Sequence, residues 1–253
     1  MIVVLSGEGP SDLGSCTNRM GECTRPEFSF GPMTYFVDKE LKGLMNFSML
    51  DTTPDRYIFV AKPELIRLAG EQRQNRKSMS LQGKKNSALE TGYFYRNAKT
   101  LGNRSVELAA EYGDDSVIAV LFRDCDGTRS ADASLWQDKV NSIQQGFHDS
   151  KLGGRGVAMV PKPKSESWML CVLRDNYQHC TRLEDLSGND NAINSAKMQL
   201  EEALGGDAST ASQINYLEDR GIDTDLLASV MPSYDSFHQN MINAYQEANR
   251  LGV

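Results

Sequence analysis

The sequence predicts an α/β fold with a mostly parallel sheet. Short apolar segments alternate with segments of helical periodicity from the first residues to about residue 173, and this alternation is typical of parallel sheets covered by helices. Two apolar runs, Ile2–Leu5 and Val117–Phe122, have the length and composition of buried strands. The 253 residues contain no internal repeat, so we expect one large domain or one domain with a sizeable insertion.

The elements follow in order along the chain. After the first strand, residues 14–30 are rich in Gly, Cys and polar side chains, and we expect an irregular insert there. The apolar spacing then predicts, in order, a helix over 33–44, a strand over 56–60, a helix beginning near Pro63, and a mobile or substrate-ordered loop over 70–87.

The second half of the chain is predicted to be mostly helical. Its predicted elements are a helix over 91–112, the central strand over 117–122, a helix over 134–147, a strand over 156–160, and a helix over 165–173 with Ser165 as its N-cap. Further helices are predicted over 194–204, 211–218, 224–230 and 234–251. We expect the last of these helices to pack around the sheet or to form a small cap.

Composition argues against a membrane or secreted protein. No apolar run approaches the roughly 18 residues that a membrane span needs, and no basic segment precedes the first apolar run, so no signal peptide is expected. The five cysteines are odd in number and form no CxxC pair. This pattern favours unpaired thiols and a cytoplasmic location over a disulfide framework. Cys16 and Cys23 could join a zinc site, but no His lies close in sequence, and ordinary loop thiols are the favoured interpretation.

Charge is distributed unevenly along the chain. The net charge is −7, yet the segment from Lys62 to Arg104 holds ten Lys or Arg and three Glu, for a net charge of +7. A basic segment on an acidic protein can attract a polyanion such as DNA or RNA. The alternative is an ordinary solvated helix face.

Acidic motifs follow two of the predicted strands. Glu8-Gly9-Pro10-Ser11-Asp12 comes after the first strand, and Asp124-Cys125-Asp126-Gly127 comes after the central one. Parallel sheets place their chemistry at these strand ends, and Asp124 and Asp126, two residues apart, would share one face. Only oxygen ligands are offered, so the sequence predicts one or two hard cations, Mg²⁺ or Mn²⁺. Glu8 would complete the site or act as general base on a water, and Asp12 would ligate the metal or cap the next helix.

These motifs together resemble the Toprim fold, a Rossmannoid fold found in topoisomerases, primases and overcoming-lysogenization-defect (OLD) nucleases. The stretch VAMVPKPKSESWML, residues 157–170, resembles the strand-Pro-x-x-Glu-x-Trp-Leu-Leu element of small RloB-type Toprim proteins. Those proteins are often encoded beside an ABC-type ATPase in phage-defence loci. Residues 194–197 and 232–237 also resemble segments of that group, and the similarity spans most of the chain in order.

The resemblance implies a Mg²⁺-dependent nuclease that acts on DNA or RNA and works in anti-phage defence with an ABC-type or SMC-like ATPase. Glu8 would be the catalytic carboxylate, Asp124 and Asp126 would be metal ligands, and Glu166 would be a further acid near a second metal. Lys197 would steady the charge of the phosphate transition state, unless it is simply an exposed helix lysine. The residues expected to bind nucleic acid are Arg73, Arg76, Lys77, Lys84, Lys85, Arg96, Lys99, Lys162 and Lys164.

The same resemblance implies a domain division. Residues 1–180 would form the Toprim-like catalytic core, with an insertion over about 14–112 that carries the basic segment, and residues 181–253 would form a helical part packed on it. Glu8 and Asp124 are 116 residues apart, a longer separation than a minimal Toprim core needs. Topoisomerase and primase activities are not expected, because both need additional domains.

Two alternatives remain open at the level of sequence. The chain could be an interaction subunit of a defence complex, silent alone and activated or merely docked by an ATPase partner. Asp124-Cys125-Asp126-Gly127-Thr128 also matches the opening motif of haloacid-dehalogenase-type phosphatases, in which the first Asp is a nucleophile. That interpretation is less favoured because it leaves Glu8 and Glu166 unused.

Tyr93 and its neighbours could stack on bases, although core packing is the favoured role.

Overall fold

A five-stranded sheet lies at the centre of the molecule, in a computed structural model that describes residues 1–74, 88–125 and 133–251. The strands are β1 (Ile2–Ser6), β2 (Gly14–Cys16), β3 (Glu22–Cys23), β4 (Phe28–Phe30), β5 (Tyr57–Val60), β6 (Val117–Phe122) and β7 (Gly156–Met159). The sheet order is β3-β5-β1-β6-β7, and β2 pairs separately with β4. Because β5, β1, β6 and β7 are parallel and only the edge strand β3 is antiparallel, the predicted α/β class with a mostly parallel sheet is confirmed.

Helices connect the strands and form most of the C-terminal third of the chain. They are α1 (Pro32–Met45), α2 (Met49–Thr52), α3 (Lys62–Gln74), α4 (Ala88–Tyr112), α5 (Ala133–His148), α6 (Ser165–Leu173), α7 (Ala196–Ala203), α8 (Thr210–Arg220), α9 (Thr224–Val230) and α10 (Pro232–Leu251). Short 3-10 turns cover Pro54–Arg56, Gly153–Arg155, Asp175–Tyr177 and Cys180–Asp185. None of the helices in the described ranges is both long and apolar enough to cross a bilayer.

The central strands are buried on both faces, which explains why they are continuously apolar in sequence. Side chains alternate between the faces. Val3 and Leu5 of β1 join a core that includes side chains of α1, α6 and α10, whereas Ile2 and Val4 join a second core with side chains of α4 and α5. The sheet is therefore sandwiched between two helical layers.

The connections around the central pair of strands diverge. From β1 the chain passes through α1 to β5 on one side of the sheet, and from β6 it passes through α5 to β7 on the other side. Helices α1 and α5 belong to the two different cores. The carboxyl ends of β1 and β6 therefore flank a crevice at a topological switch point, the usual position of ligand sites in open α/β sheets.

The segment 14–30 is more ordered than its sequence suggests. It carries β2, β3 and β4, so the expectation of a wholly irregular insert is wrong. Phe28 and Phe30 of β4 are buried and the intervening Ser29 is exposed, and the Phe28 ring stacks on Phe59 with centroids 5.1 Å apart. Gly14 adopts φ +110°, and a Cβ there would lie 2.0 Å from the Ser29 carbonyl oxygen, so this turn requires glycine.

Four of the five cysteines form disulfides, and the expectation of unpaired thiols is wrong for them. Cys16 pairs with Cys23, with Cα atoms 5.8 Å apart, and Cys171 of α6 pairs with Cys180, with Cα atoms 5.3 Å apart. Both distances suit a disulfide. The remaining cysteine, Cys125, is buried and forms no disulfide. The pairing follows from strand and turn placement, which the spacing of the cysteines alone does not show.

Most other boundaries agree with the sequence to within a few residues. One difference is that α3 continues to Gln74, so the predicted loop over 70–87 is wrong for its first five positions. Residues 75–87 lie outside the described ranges. In the C-terminal part, Tyr234 and Phe237 of α10 lie in the same core as Leu5 of β1, so this helix packs against the sheet.

Candidate active site

Charged and polar residues from four parallel strands meet at one edge of the sheet. Lys62 follows β5, Glu8 and Asp12 follow β1, Asp124 follows β6, and the α6 start follows β7. Because the carboxyl ends of parallel strands lie at the same edge, residues far apart in sequence become neighbours there. The edge coincides with the switch point between β1 and β6.

Glu8 lies at the solvent-facing side of this site. Its Oε1 accepts a hydrogen bond from Lys62 Nζ at 3.2 Å, and the two side chains are 38% and 35% exposed. An ion pair so exposed contributes little to stability. The carboxylate that the sequence predicts to be catalytic is therefore held loosely and can exchange Lys62 for another partner.

Asp12 is the most perturbed carboxyl group of the site. Burial raises its pKa to about 6, and repulsion from Glu166 and, to a smaller extent, from Glu8 acts in the same direction. Hydrogen bonds from Ser165 and from the Gly9 backbone oppose this shift. Asp12 therefore lies close enough to both Glu166 and Glu8 to be repelled by their carboxylates, and a cation at this position would reduce that repulsion.

Asp124 binds the beginning of α6. Its Oδ1 accepts a hydrogen bond from the Ser165 backbone N–H at 3.0 Å, where the helix dipole favours negative charge. Ser165 is the first helical residue and the N-cap position belongs to Lys164, so the prediction of Ser165 as N-cap is wrong. The side chain that satisfies the helix terminus, Asp124, comes instead from the loop after β6, a contact that local sequence cannot reveal.

Ser165 also lies between two of the acidic side chains. Its hydroxyl is 3.4 Å from Asp12 Oδ1 and 3.4 Å from Glu166 Oε2. The sequence gives no hint of this role beyond the capping pattern. Together, the backbone and side chain of Ser165 connect Asp12, Asp124 and Glu166, which originate from three different strand ends.

Packing on the opposite side of α6 fixes its orientation. Trp168 is fully buried, and its Nε1 donates to Ser233 Oγ at 2.8 Å. Its ring stacks on Phe237, with centroids 5.5 Å apart. The Cys171–Cys180 disulfide attaches the end of the helix to the next turn. Glu166 therefore projects from a rigid helix.

Lys197 is linked to the site indirectly. Lys164 Nζ binds Asp190 Oδ1 at 2.8 Å, and Lys197 Nζ lies 4.0 Å from Asp190 Oδ2. Lys197 is 58% exposed, as expected of a helix lysine. Asp190, which sequence reasoning did not assign, thus connects both lysines and holds Lys197 near the α6 start.

The basic segment is only partly described. Arg96 and Lys99 lie on α4, where Lys99 Nζ is 3.2 Å from the Tyr95 hydroxyl. Lys162 lies in the loop before α6, and Arg73 lies in α3. The positions outside the described residues are Arg76, Lys77, Lys84 and Lys85. Two further arginines of the segment, Arg67 and Arg104, are engaged by glutamates, so part of its positive charge is neutralised.

The ligand atoms that the candidate site offers are carboxylate oxygens, which suit a hard cation. Within the ranges that the structure describes, no three His, Cys, Asp or Glu side chains are grouped closely enough to hold a metal ion. Asp126, predicted to be a ligand, lies outside those ranges. The carboxylates of Asp12, Asp124 and Glu166 offer oxygen ligands alone, which Mg²⁺ and Mn²⁺ prefer, and a bound cation would relieve the repulsion between Asp12 and Glu166.

Comparisons with protein-family models, with curated proteins and with solved structures found no match to this chain.

Proposed function

We propose that this protein is a Mg²⁺- or Mn²⁺-dependent nuclease of the Toprim type. One observation carries the proposal: Glu8, Asp12, Asp124 and Glu166, which follow three different parallel strands, lie at the same end of the sheet beside its switch point. Carboxylate oxygens at such strand ends are the ligands that metal-assisted phosphoryl chemistry uses. The Toprim-like sequence motifs supply the choice of reaction class.

Asp12, Asp124 and Glu166 would hold one or two cations, with Asp126 as a further ligand by sequence. When bound, such cations supply Lewis-acid activation of a phosphodiester and charge stabilisation for the leaving oxygen. Each of these three side chains contacts Ser165 through its backbone N–H or its hydroxyl group. The packing of Trp168 fixes the helix that carries Ser165 and Glu166, and catalysis by positioned charge needs groups held in this way.

Glu8 is the general base of the proposed reaction. Its carboxylate accepts a proton from water as the water oxygen forms a bond to phosphorus, and the P–O bond to the leaving oxygen breaks. The exposed Lys62 contact leaves Glu8 accessible for this role. Lys164, Lys197, Arg96 and Lys99 would contact the phosphate backbone, so binding is expected to weaken as the salt concentration rises.

The biological setting follows from the sequence resemblance alone. We propose that the nuclease is the effector of an anti-phage defence system and that an ABC-type ATPase activates it. A purified chain that is inactive by itself would then become active when that subunit is added.

The test is cleavage of plasmid, single-stranded DNA and total tRNA in Mg²⁺, Mn²⁺ or EDTA. Glu8→Gln and Asp124→Asn are expected to lower the metal-dependent rate by about 100-fold or more. Asp55→Asn is the matched control, because Asp55 is an exposed carboxylate before β5, at the opposite edge of the sheet. If the wild type is inactive alone, the same series is repeated with the co-purifying ATPase subunit.

Undiminished cleavage by both Glu8→Gln and Asp124→Asn would contradict the mechanism. Metal-dependent release of phosphate from small monoesters, lost in Asp124→Asn but retained in Glu8→Gln, would favour a phosphatase that uses Asp124 instead.

A further inference from the structure

A buried arginine lies at the switch point, directly before Asp124. Arg123 is 0% exposed. Its Nη1 donates to the Phe122 carbonyl oxygen at 2.6 Å and lies 3.4 Å from the Ser6 carbonyl oxygen. The guanidinium therefore spans the ends of β1 and β6, the two strands that flank the crevice.

Most of the hydrogen-bonding capacity of this guanidinium is unused. Within the described part of the chain, Nε and Nη2 of Arg123 have no hydrogen-bond partner although both are buried. Leaving buried donors of a charged group unsatisfied is costly, and native proteins rarely do so without a functional reason. Nε and Nη2 lie along one edge of the guanidinium, with two N–H groups that match a pair of oxyanion oxygens.

Two buried hydroxyl groups occur on the same side of the sheet. Ser6 and Arg123 continue the alternation of Ile2, Val4 and Leu121 and so face the core that includes α4. The Tyr93 hydroxyl of α4 lies next to the guanidinium and favours its charged form, and Ser6 Oγ has no hydrogen-bond partner among the described residues. The hydroxyl groups of Tyr93 and Ser6 and one edge of the Arg123 guanidinium thus offer hydrogen-bond donors to the same region of the crevice.

Acidic side chains connect the surroundings of Arg123 to the candidate active site. Burial lowers the pKa of Arg123, while the nearby Tyr93, Glu8 and Asp12 act in the opposite direction. Glu8 is partly exposed, so the buried guanidinium adjoins a carboxylate that solvent can reach. An anion that enters the crevice would compete with Glu8 for Arg123.

We propose that Arg123, Tyr93 and Ser6 form a binding subsite for a phosphoryl oxyanion. The subsite lies on the α4 side of the sheet, whereas Asp124 and Glu166 lie on the α6 side. This inference deepens the proposed function, on which it rests for the identity of the anion as a phosphate of the nucleic-acid substrate. A phosphate held by Arg123 would lie beside Glu8.

Binding of inorganic phosphate, measured by isothermal titration calorimetry in EDTA, tests the subsite without any metal or cleavage. Arg123→Met is expected to weaken binding by about tenfold or more, because charge-assisted hydrogen bonds are lost. Tyr93→Phe, which removes only the hydroxyl, should weaken it by about threefold. Arg155→Met is the matched control, because Arg155 is a half-buried arginine before β7, bound to carbonyl oxygens of Leu152 and Asp115.

Glu8→Gln separates this inference from the nuclease proposal. Removing the competing carboxylate should strengthen phosphate binding by several-fold, because like charges then no longer oppose each other, whereas the same variant should lose cleavage. The subsite is supported if phosphate binds and Arg123 is required, even when no nucleic acid is cut.

Two results would overturn the subsite. One is that wild type and Glu8→Gln bind no phosphate; the other is that Arg123→Met binds it as tightly as Arg155→Met does. Circular dichroism checks that each variant folds. If Arg123→Met does not fold, Tyr93→Phe and Ser6→Ala decide, and undiminished binding in both would equally exclude the subsite.

Discussion

Asp12 is a single residue of the candidate site that lowers the stability of the folded protein. Its carboxyl group is largely enclosed, and its neighbours Glu166 and Glu8 carry the same charge. A fold selected for stability alone would place a neutral or paired group there. Asp12 is therefore a residue at which function and stability oppose each other.

Replacing Asp12 by Asn should stabilise the protein at high pH. The pKa of about 6 lies above the unfolded value of about 3.9. Below the unfolded pKa, Asp12 is protonated in both the folded and the unfolded state, and the fold keeps its full stability. That stability is lost as the pH rises through 6, because the buried carboxyl group ionises less readily than the unfolded one. Ionised Asp12 therefore destabilises the native state by up to about 3 kcal/mol. In EDTA, thermal unfolding of Asp12→Asn should occur several degrees above wild type at pH 8 and close to it at pH 4.

Asp55→Asn serves as the control for the Asp12 series, since its carboxylate is exposed at the far edge of the sheet. Adding Mg²⁺ at pH 8 should stabilise the wild type more than Asp12→Asn, so the difference between their unfolding temperatures should become smaller. Equal unfolding temperatures of wild type and Asp12→Asn at both pH values would show that the carboxylates do not repel one another.

Sequence patterns pointed to the acidic residues of the candidate site but not to the polar residues that the structure places between them. Glu8, Asp12 and Asp124 were identified because each follows an apolar strand, and Glu166 because its segment resembles a known motif. Ser165 and Arg123 were missed in their present roles. Their contacts join different strand ends, and only the folded sheet brings those ends together.

Helix α6 is the element that carries the site. Its first turn contacts the carboxylates, and its buried face holds Trp168 against Phe36, Tyr234 and Phe237, with centroids 6.0, 4.9 and 5.5 Å away. The core that stabilises the helix thereby also positions Glu166. Damage to this aromatic cluster should affect stability and activity together.

Trp168→Phe should weaken this arrangement measurably, and Trp168→Ala should cost about 3–5 kcal/mol of unfolding free energy, because a large cavity is left and Ser233 loses its partner. Urea unfolding followed by circular dichroism measures the loss. Leu226→Ala on α9 is the control: Leu226 is partly exposed, and its truncation should change stability by about 0.5 kcal/mol or less. A similarly small effect of Trp168→Ala would show that α6 is not anchored by this residue.

Helices and strands were predicted correctly where the apolar pattern extends over many residues, and they were missed where the strands are short. The six apolar residues of β6 and the amphipathic pattern of α10 are strong local signals. Strands β2, β3 and β4 have only two or three residues each, too few for a periodic pattern. A disulfide and the Phe28–Phe59 stack hold them in place instead.

On the scale of the whole molecule, two disulfides reinforce separate parts of the fold. Cys16–Cys23 joins the β2–β4 hairpin to the edge strand β3, and Cys171–Cys180 joins α6 to the turn that follows it. The sequence suggested a reduced protein because its cysteines are odd in number and lack a paired motif. Cysteine spacing does not reveal which chain segments fold beside each other.

Thiol titration of the denatured, unreduced protein should therefore find about one thiol per chain, which belongs to Cys125. Peptide mapping by mass spectrometry should recover the two disulfide-linked pairs. Replacing Cys171 and Cys180 by Ser together should lower stability by about 2–3 kcal/mol, as closing a short loop predicts. Five reactive thiols in the freshly isolated protein would contradict the pairing.

The central position of β1 has a consequence for how the protein is made. Strand β1 leaves the ribosome before one of its two neighbours, β6, which is synthesised more than a hundred residues later. A nascent chain thus carries Glu8 and Asp12 long before Arg123 and Asp124 exist. Such distant pairing slows folding, and it also means that an incomplete chain cannot assemble the crevice. If the protein cuts nucleic acid, the translating ribosome and its RNA are spared until the sheet is nearly complete.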